Sequence, residues 1–107
     1  MDDQRFTHLA DKTFRTILDG FDRIDADDAD IESAGNTLNI TFRNGQRCVV
    51  NTQSAVHQIW LAGGQSAWHF SYDDQLGKWL HDKGTGDELF ACLTSLSQAA
   101  IGQTPSF

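Results

Sequence analysis

Two hydrophobic periods follow one another along this chain in an order that leaves few folds open. From Phe6 to Ile24 the apolar residues Phe6, Leu9, Ala10, Phe14, Ile17, Phe21 and Ile24 recur at three- and four-residue steps, which places them on one face of an amphipathic helix. A short strand is expected around Ile31 to Ser33. From Thr37 to Phe42 the period is two, with Leu38, Ile40 and Phe42 on one side and Thr37, Asn39 and Thr41 on the other. That alternation marks a strand covered on one face only. Asn44-Gly45 then favours a tight hairpin turn, since both residues tolerate positive φ. Further strands are expected at Arg47 to Asn51, His57 to Ala62, Ala67 to Tyr72 and Lys78 to His81, with turns at Gly63 to Ser66 and Asp73 to Gly77. Connections this short join antiparallel neighbours. After the break at Lys83-Gly84-Thr85-Gly86, Asp87-Glu88 place negative charge where a helix dipole favours it. Leu89, Phe90, Leu93, Leu96 and Ala100 mark the apolar face of a second helix, and the tail from Gly102, with the chain's one proline at 105, ends it. The expected class is α+β: two helices packed on one face of an antiparallel sheet of about six strands.

A chain of 107 residues with 39% hydrophobic side chains suits a single domain over residues 1–107 with one core. No apolar run approaches the roughly 18 to 20 residues that span a bilayer, and Met1-Asp2-Asp3-Gln4-Arg5 does not open a signal peptide. The expectation is a soluble cytoplasmic protein. Cys48 and Cys92 lack a short metal-ligand spacing, so both are expected as buried free thiols.

The net charge is −7, and its placement is uneven. Asp19, Asp22, Asp25, Asp27, Asp28, Asp30 and Glu32 stand against Arg23 alone, so residues 19 to 32 hold six of the seven net negative charges. Such crowding destabilises through self-repulsion unless cations or a basic partner offset it. The run starts on a polar helix stripe of His8, Asp11, Arg15, Asp19 and Asp22, crosses a connector over Ala26 to Asp30, and ends on the first strand. With no run of Lys or Arg, a nucleic acid or an anionic membrane is not the expected partner.

Carboxylates are hard oxygen ligands for Fe³⁺, Ca²⁺, Mg²⁺ or Mn²⁺, with Fe²⁺ borderline. A calcium loop beginning at Asp25 fails, because Asp30 stands where glycine is needed and Asn36 where a bidentate glutamate belongs. Carboxylates on a convex helix and an edge strand imply weak, water-completed binding at the surface. His8, His57, His69 and His81 show no transition-metal spacing, although His8 shares the stripe with Asp11. No nucleophile elbow or phosphate loop is present. A di-iron ferroxidase needs inward Glu-x-x-His pairs in a bundle, which are absent. The expectation is a protein that is not an enzyme, with weak ferroxidase activity or an acidic adaptor role as alternatives.

A second informative segment is Asn51 to Leu61. If Ile59 and Leu61 face the helices, alternation turns Gln58 and Trp60 to the uncovered face. A tryptophan framed by amides has the composition of a protein-binding hot spot.

Taken in order, Leu9-Ala10-Asp11 with its acidic exit, Asn51-Thr-Gln53, His57-Gln58-Ile59-Trp60-Leu61-Ala62, Trp68-His69-Phe70, Lys78-Trp79 and the helix from Asp87 to Ala100 resemble the bacterial frataxins, the CyaY group. The similarity runs from about Phe6 to Phe107. It implies an iron-binding protein of iron–sulfur cluster assembly, monomeric without metal, that docks on cysteine desulfurase and the cluster scaffold and regulates sulfur transfer or supplies Fe²⁺ or Fe³⁺. By position, the resemblance assigns iron to Asp19, Asp22, Asp25, Asp27, Asp28, Asp30 and Glu32, with Asp11 and His8 outlying. It assigns partner binding to Asn51, Gln53, Gln58 and Trp60. Leu18 and Arg23 stand where relatives often carry further acids, and the connector near Ala29 is one residue shorter, so fewer or weaker iron sites are expected, shifted toward Asp25 to Glu32.

Overall fold

The structure, a computed structural model, describes residues 1–107. Helix α1 spans Asp3–Phe21. It begins three residues before the apolar stripe does, because Asp2 caps it: its carboxylate accepts from the Arg5 backbone N–H at 2.7 Å. It also ends sooner than the stripe suggested. Asp22 is the C-terminal cap, and Ile24 reaches the core from the following turn at 8% exposure, so the apolar spacing outlasts the helix.

Six strands follow, β1 Ala29–Ala34, β2 Thr37–Phe42, β3 Arg47–Gln53, β4 Gln58–Gly63, β5 Ser66–Asp73 and β6 Lys78–His81, and then α2, Leu89–Ile101. The strands form one antiparallel meander in chain order. The connector expected to be solvated from Ala26 to Asp30 is shorter in fact. Ala29 is buried and pairs with Phe42, and the Arg43 backbone N–H donates to the Asp28 carbonyl at 2.8 Å, so pairing starts two residues before Ile31. A 3-10 turn at Ser54–Val56 links β3 to β4. His57 ends it in the left-handed region at φ 52° and stacks on Phe6, its Nε2 2.7 Å from the Asp3 carboxylate.

Both helices cover the same sheet face. Phe6, Ile17, Leu38, Ile40, Val50, Ile59, Leu61, Phe70, Leu89 and Leu93 are at most 1% exposed, and each such side chain contributes roughly 1.5 to 3 kcal/mol through burial. One polar contact crosses this core: the Trp79 indole N–H donates to Thr13 Oγ1 at 2.9 Å, while the same hydroxyl donates to the Leu9 carbonyl. Cys48 and Cys92 are free and buried. Burial pushes both thiols up to about 11, assisted at Cys92 by Asp87 and Glu88. The tail after α2 closes the space between the helices. Ser97 Oγ donates to the Gln103 carbonyl, Ser106 N–H donates to the Gly20 carbonyl, and the Phe107 ring meets Phe21 and Phe90. No helix is long and apolar enough to cross a membrane.

Candidate functional site

Alternation divides the acid run between two surfaces. In β1, Ala29 and Ile31 turn toward the helices, so Asp30 and Glu32 fall on the uncovered face, opposite Thr41 and Asn39 of β2, and because β1 is an edge strand Asp30 also borders the space beside the helix end. Asp19 and Asp22 sit at the C-terminal end of α1, where no basic residue offsets the negative end of the helix dipole. Between that helix end and the β1 edge lies an open cleft of about 530 Å³, lined by Asp19, Asp22, Asp25 and Asp30 over a floor that includes Leu18, Ile24 and Ala29. Dipole and carboxylates act in the same direction, so the cleft attracts cations.

The seven acids are not equivalent. Asp28 is half-buried and held from both sides: Arg43 Nη1 donates to Oδ1, and Gln103 Nε2 donates to Oδ2 at 2.9 Å. It ties the β2–β3 hairpin to the C-terminal tail, and its charge is already neutralised. Asp25 is partly engaged, because its Oδ1 accepts from the Asp27 backbone N–H at 2.8 Å and shapes the turn into β1. Asp19, Asp22, Asp25, Asp27, Asp30 and Glu32 make no ion pair, and Arg23 pairs with none of them. Asp11 lies eight residues before Asp19, about 12 Å along the helix axis, with His8 a further turn away and Arg15 between. Both are exposed and stand apart from the cleft. No three His, Cys, Asp or Glu side chains converge on one metal position, so a cation here keeps much of its hydration.

The second candidate surface is the uncovered sheet face. Cross-strand register sets Asn51 opposite Trp60 and Gln53 opposite Gln58, making the four a compact block. Trp60 faces outward, yet it is half-buried rather than fully exposed. His69, its partner across β4 and β5, stacks on it with centroids 4.1 Å apart and planes 15° from parallel. The indole N–H donates to Gln58 Oε1 at 2.9 Å, and Gln58 Nε2 donates to Ser71 Oγ and Asp82 Oδ2. Gln53 Nε2 leans on Asn51 Oδ1 at 3.4 Å. Reading the residues in isolation misses His69 and Asp82 as members of this patch. The signal for His69 lies in its parity: it alternates with Trp68 and Phe70, which pack toward the core.

The remaining histidines do not join either surface. His57 is bound to α1, and His81 Nδ1 accepts from the His69 backbone N–H at 3.2 Å.

Comparison with known proteins decides the family. The frataxin-like domain model matches residues 1–103. This chain belongs to the frataxin-like family. Among solved structures, the frataxin of Psychromonas ingrahamii, from the CyaY protein family, superposes on this family member with a TM-score of 0.88 at 30% identity, covering 99% of this chain and 97% of that one. A trimeric frataxin from the yeast Saccharomyces cerevisiae, complexed with ferrous iron, gives a TM-score of 0.75 at 25% identity, covering 89% and 87%. Membership of the frataxin family implies an iron-related function, in a family that is generally non-enzymatic.

Proposed function

We propose that this frataxin-like chain is a non-catalytic, cytoplasmic, iron-responsive protein of iron–sulfur cluster assembly. In this reading the acidic cleft binds Fe²⁺ or Fe³⁺ weakly, the same carboxylates dock on a basic patch of cysteine desulfurase, and the Asn51, Gln53, Gln58 and Trp60 block meets the cluster scaffold. The observation that carries the proposal is the set Asp19, Asp22, Asp25 and Asp30, which lines one cleft at the negative end of α1 without any internal cation. Iron is cargo there. Because surface charges act over about 10 Å at 0.1 M salt, iron in the cleft changes the field that a basic partner meets, and so competes with docking.

An anaerobic titration followed on backbone amide signals tests the iron part. Fe²⁺ is expected to perturb Asp19, Asp22, Asp25 and Asp30 first, and more strongly than equimolar Ca²⁺ or Mg²⁺; equal affinities for the three metals reduce the cleft to a plain acidic surface. Replacing Asp25, Asp27 and Asp30 together by lysine is expected to abolish both iron and desulfurase binding. Retention of both at low salt overturns the proposal.

A further inference from the structure

We propose that His69, backed by Gln58 and Asp82, is a positioning residue that presents the Trp60 ring to the protein partner of the open sheet face. The inference rests on the reading that this face docks a partner. Two contacts act directly on the Trp60 side chain, and both are held by further neighbours. The imidazole covers one face of the indole at 4.1 Å. Gln58 Oε1 takes up the indole N–H, and Gln58 is itself held by Ser71 and Asp82. Asp82 Oδ2, which accepts from the Gln58 amide at the edge of the ring, also lies 3.8 Å from His69 Nδ1, beside the stacked imidazole but beyond hydrogen-bond distance.

Two consequences follow for recognition. Trp60 has already spent its only donor inside the chain, so the partner reads it as apolar surface and not through a hydrogen bond. Against the ring lies a hollow of about 110 Å³ lined by Val49, Asn51, Ala62, Ala67 and His69, apolar apart from its rim. Within the chain, Asn51 Nδ2 donates to nothing. The occupant that fits is a partner segment with one aliphatic side chain against Trp60 and a backbone carbonyl for Asn51. Because side chains ordered before docking need not be ordered during it, the stack raises affinity through the ring it holds in place.

The test compares Trp60→Ala, His69→Ala, His69→Phe and Asp82→Ala for binding to the purified cluster scaffold protein, alongside the indole N–H resonance of Trp60 and the urea midpoint. Removal of a stacking contact corresponds to about fivefold in affinity. His69→Ala is expected to weaken binding by about that factor and to shift or broaden the Trp60 indole signal, His69→Phe to restore both, and Asp82→Ala to give a smaller loss. Midpoints close to the parent chain separate positioning from general destabilisation, and the indole signal reports the ring even if a midpoint falls. If Trp60→Ala weakens binding while His69→Ala leaves both affinity and indole signal unchanged, the positioning role is overturned and the docking face stands. If Trp60→Ala leaves binding unchanged, the docking face itself is overturned, and the inference with it.

Discussion

Asp28 shows how much one side chain's surroundings alter a sequence motif. Its composition matches that of its acidic neighbours, yet Arg43 and Gln103 hold both oxygens, and it serves as a tie between hairpin and tail. Asp28→Ala is expected to lower stability by about 1 kcal/mol, at the modest end because Arg43 is largely exposed, and to leave Fe²⁺ affinity little changed. Asp22→Asn should do the reverse, with iron binding weakened and the urea midpoint unchanged or raised as repulsion is relieved. The two cysteines give a pH-dependent counterpart. An unfolded thiol ionises near 9 and these folded thiols near 11, so above pH 9 the unfolded chain releases protons that the folded chain keeps. Their contribution is complete below about pH 9 and is lost as the pH rises toward 11. Urea midpoints at pH 7.5 and pH 10 should therefore fall on the alkaline side, and iodoacetamide at pH 8 should label the native thiols far more slowly than those in denaturant.

At the scale of elements, the end of α1 joins structure to function. Gly20 lies beneath the tail, and a Cβ there would stand 2.4 Å from the Phe107 ring and 3.1 Å from the Ser106 carbonyl. Helix propensity alone makes Gly→Ala favourable by about 1 kcal/mol. Here the opposite sign is expected, since the added methyl displaces Phe107 from Phe21 and Phe90. Phe107→Ala should itself destabilise by about 1 to 2 kcal/mol, less than a fully buried phenylalanine because the residue is 40% exposed. In the Phe107→Ala background, Gly20→Ala should become neutral or favourable. A double-mutant cycle in urea measures that coupling, and additive effects would show that the tail does not bear on α1.

For the whole molecule, the decisive property is charge placed on a fold too small to dilute it. Six net negative charges lie within residues 19 to 32, and six of the seven carboxylates there have no ionic partner. Raising NaCl from about 10 mM to about 500 mM shortens the Debye length from roughly 30 Å to a few ångströms, and relief of about 1 kcal/mol corresponds to a melting temperature about 4 °C higher. Calorimetry on the parent chain should show this rise, and a chain with Asp22, Asp25 and Asp30 changed to asparagine should show less of it.

What was legible along the chain was whatever depends on local spacing. The three- and four-residue steps at both ends and the alternation between them specify two helices, six strands and the covered face, because burial of one face imposes the period of each element. The outward parity of Trp60 follows for the same reason, whereas the hairpin at Asn44-Gly45 follows from turn chemistry, with Gly45 alone taking positive φ, and the acidic charge from composition. The remainder required the tertiary structure because it depends on residues distant in sequence. Arg43 and Gln103 reach Asp28 across 15 and 75 positions, His69 comes to lie on Trp60 only through the β4–β5 register, and the cleft exists because a helix end and a sheet edge meet. Local periodicity thus determined which elements form and which way their side chains turn; the closing of the fold decided which carboxylates remain free and which ring is held still.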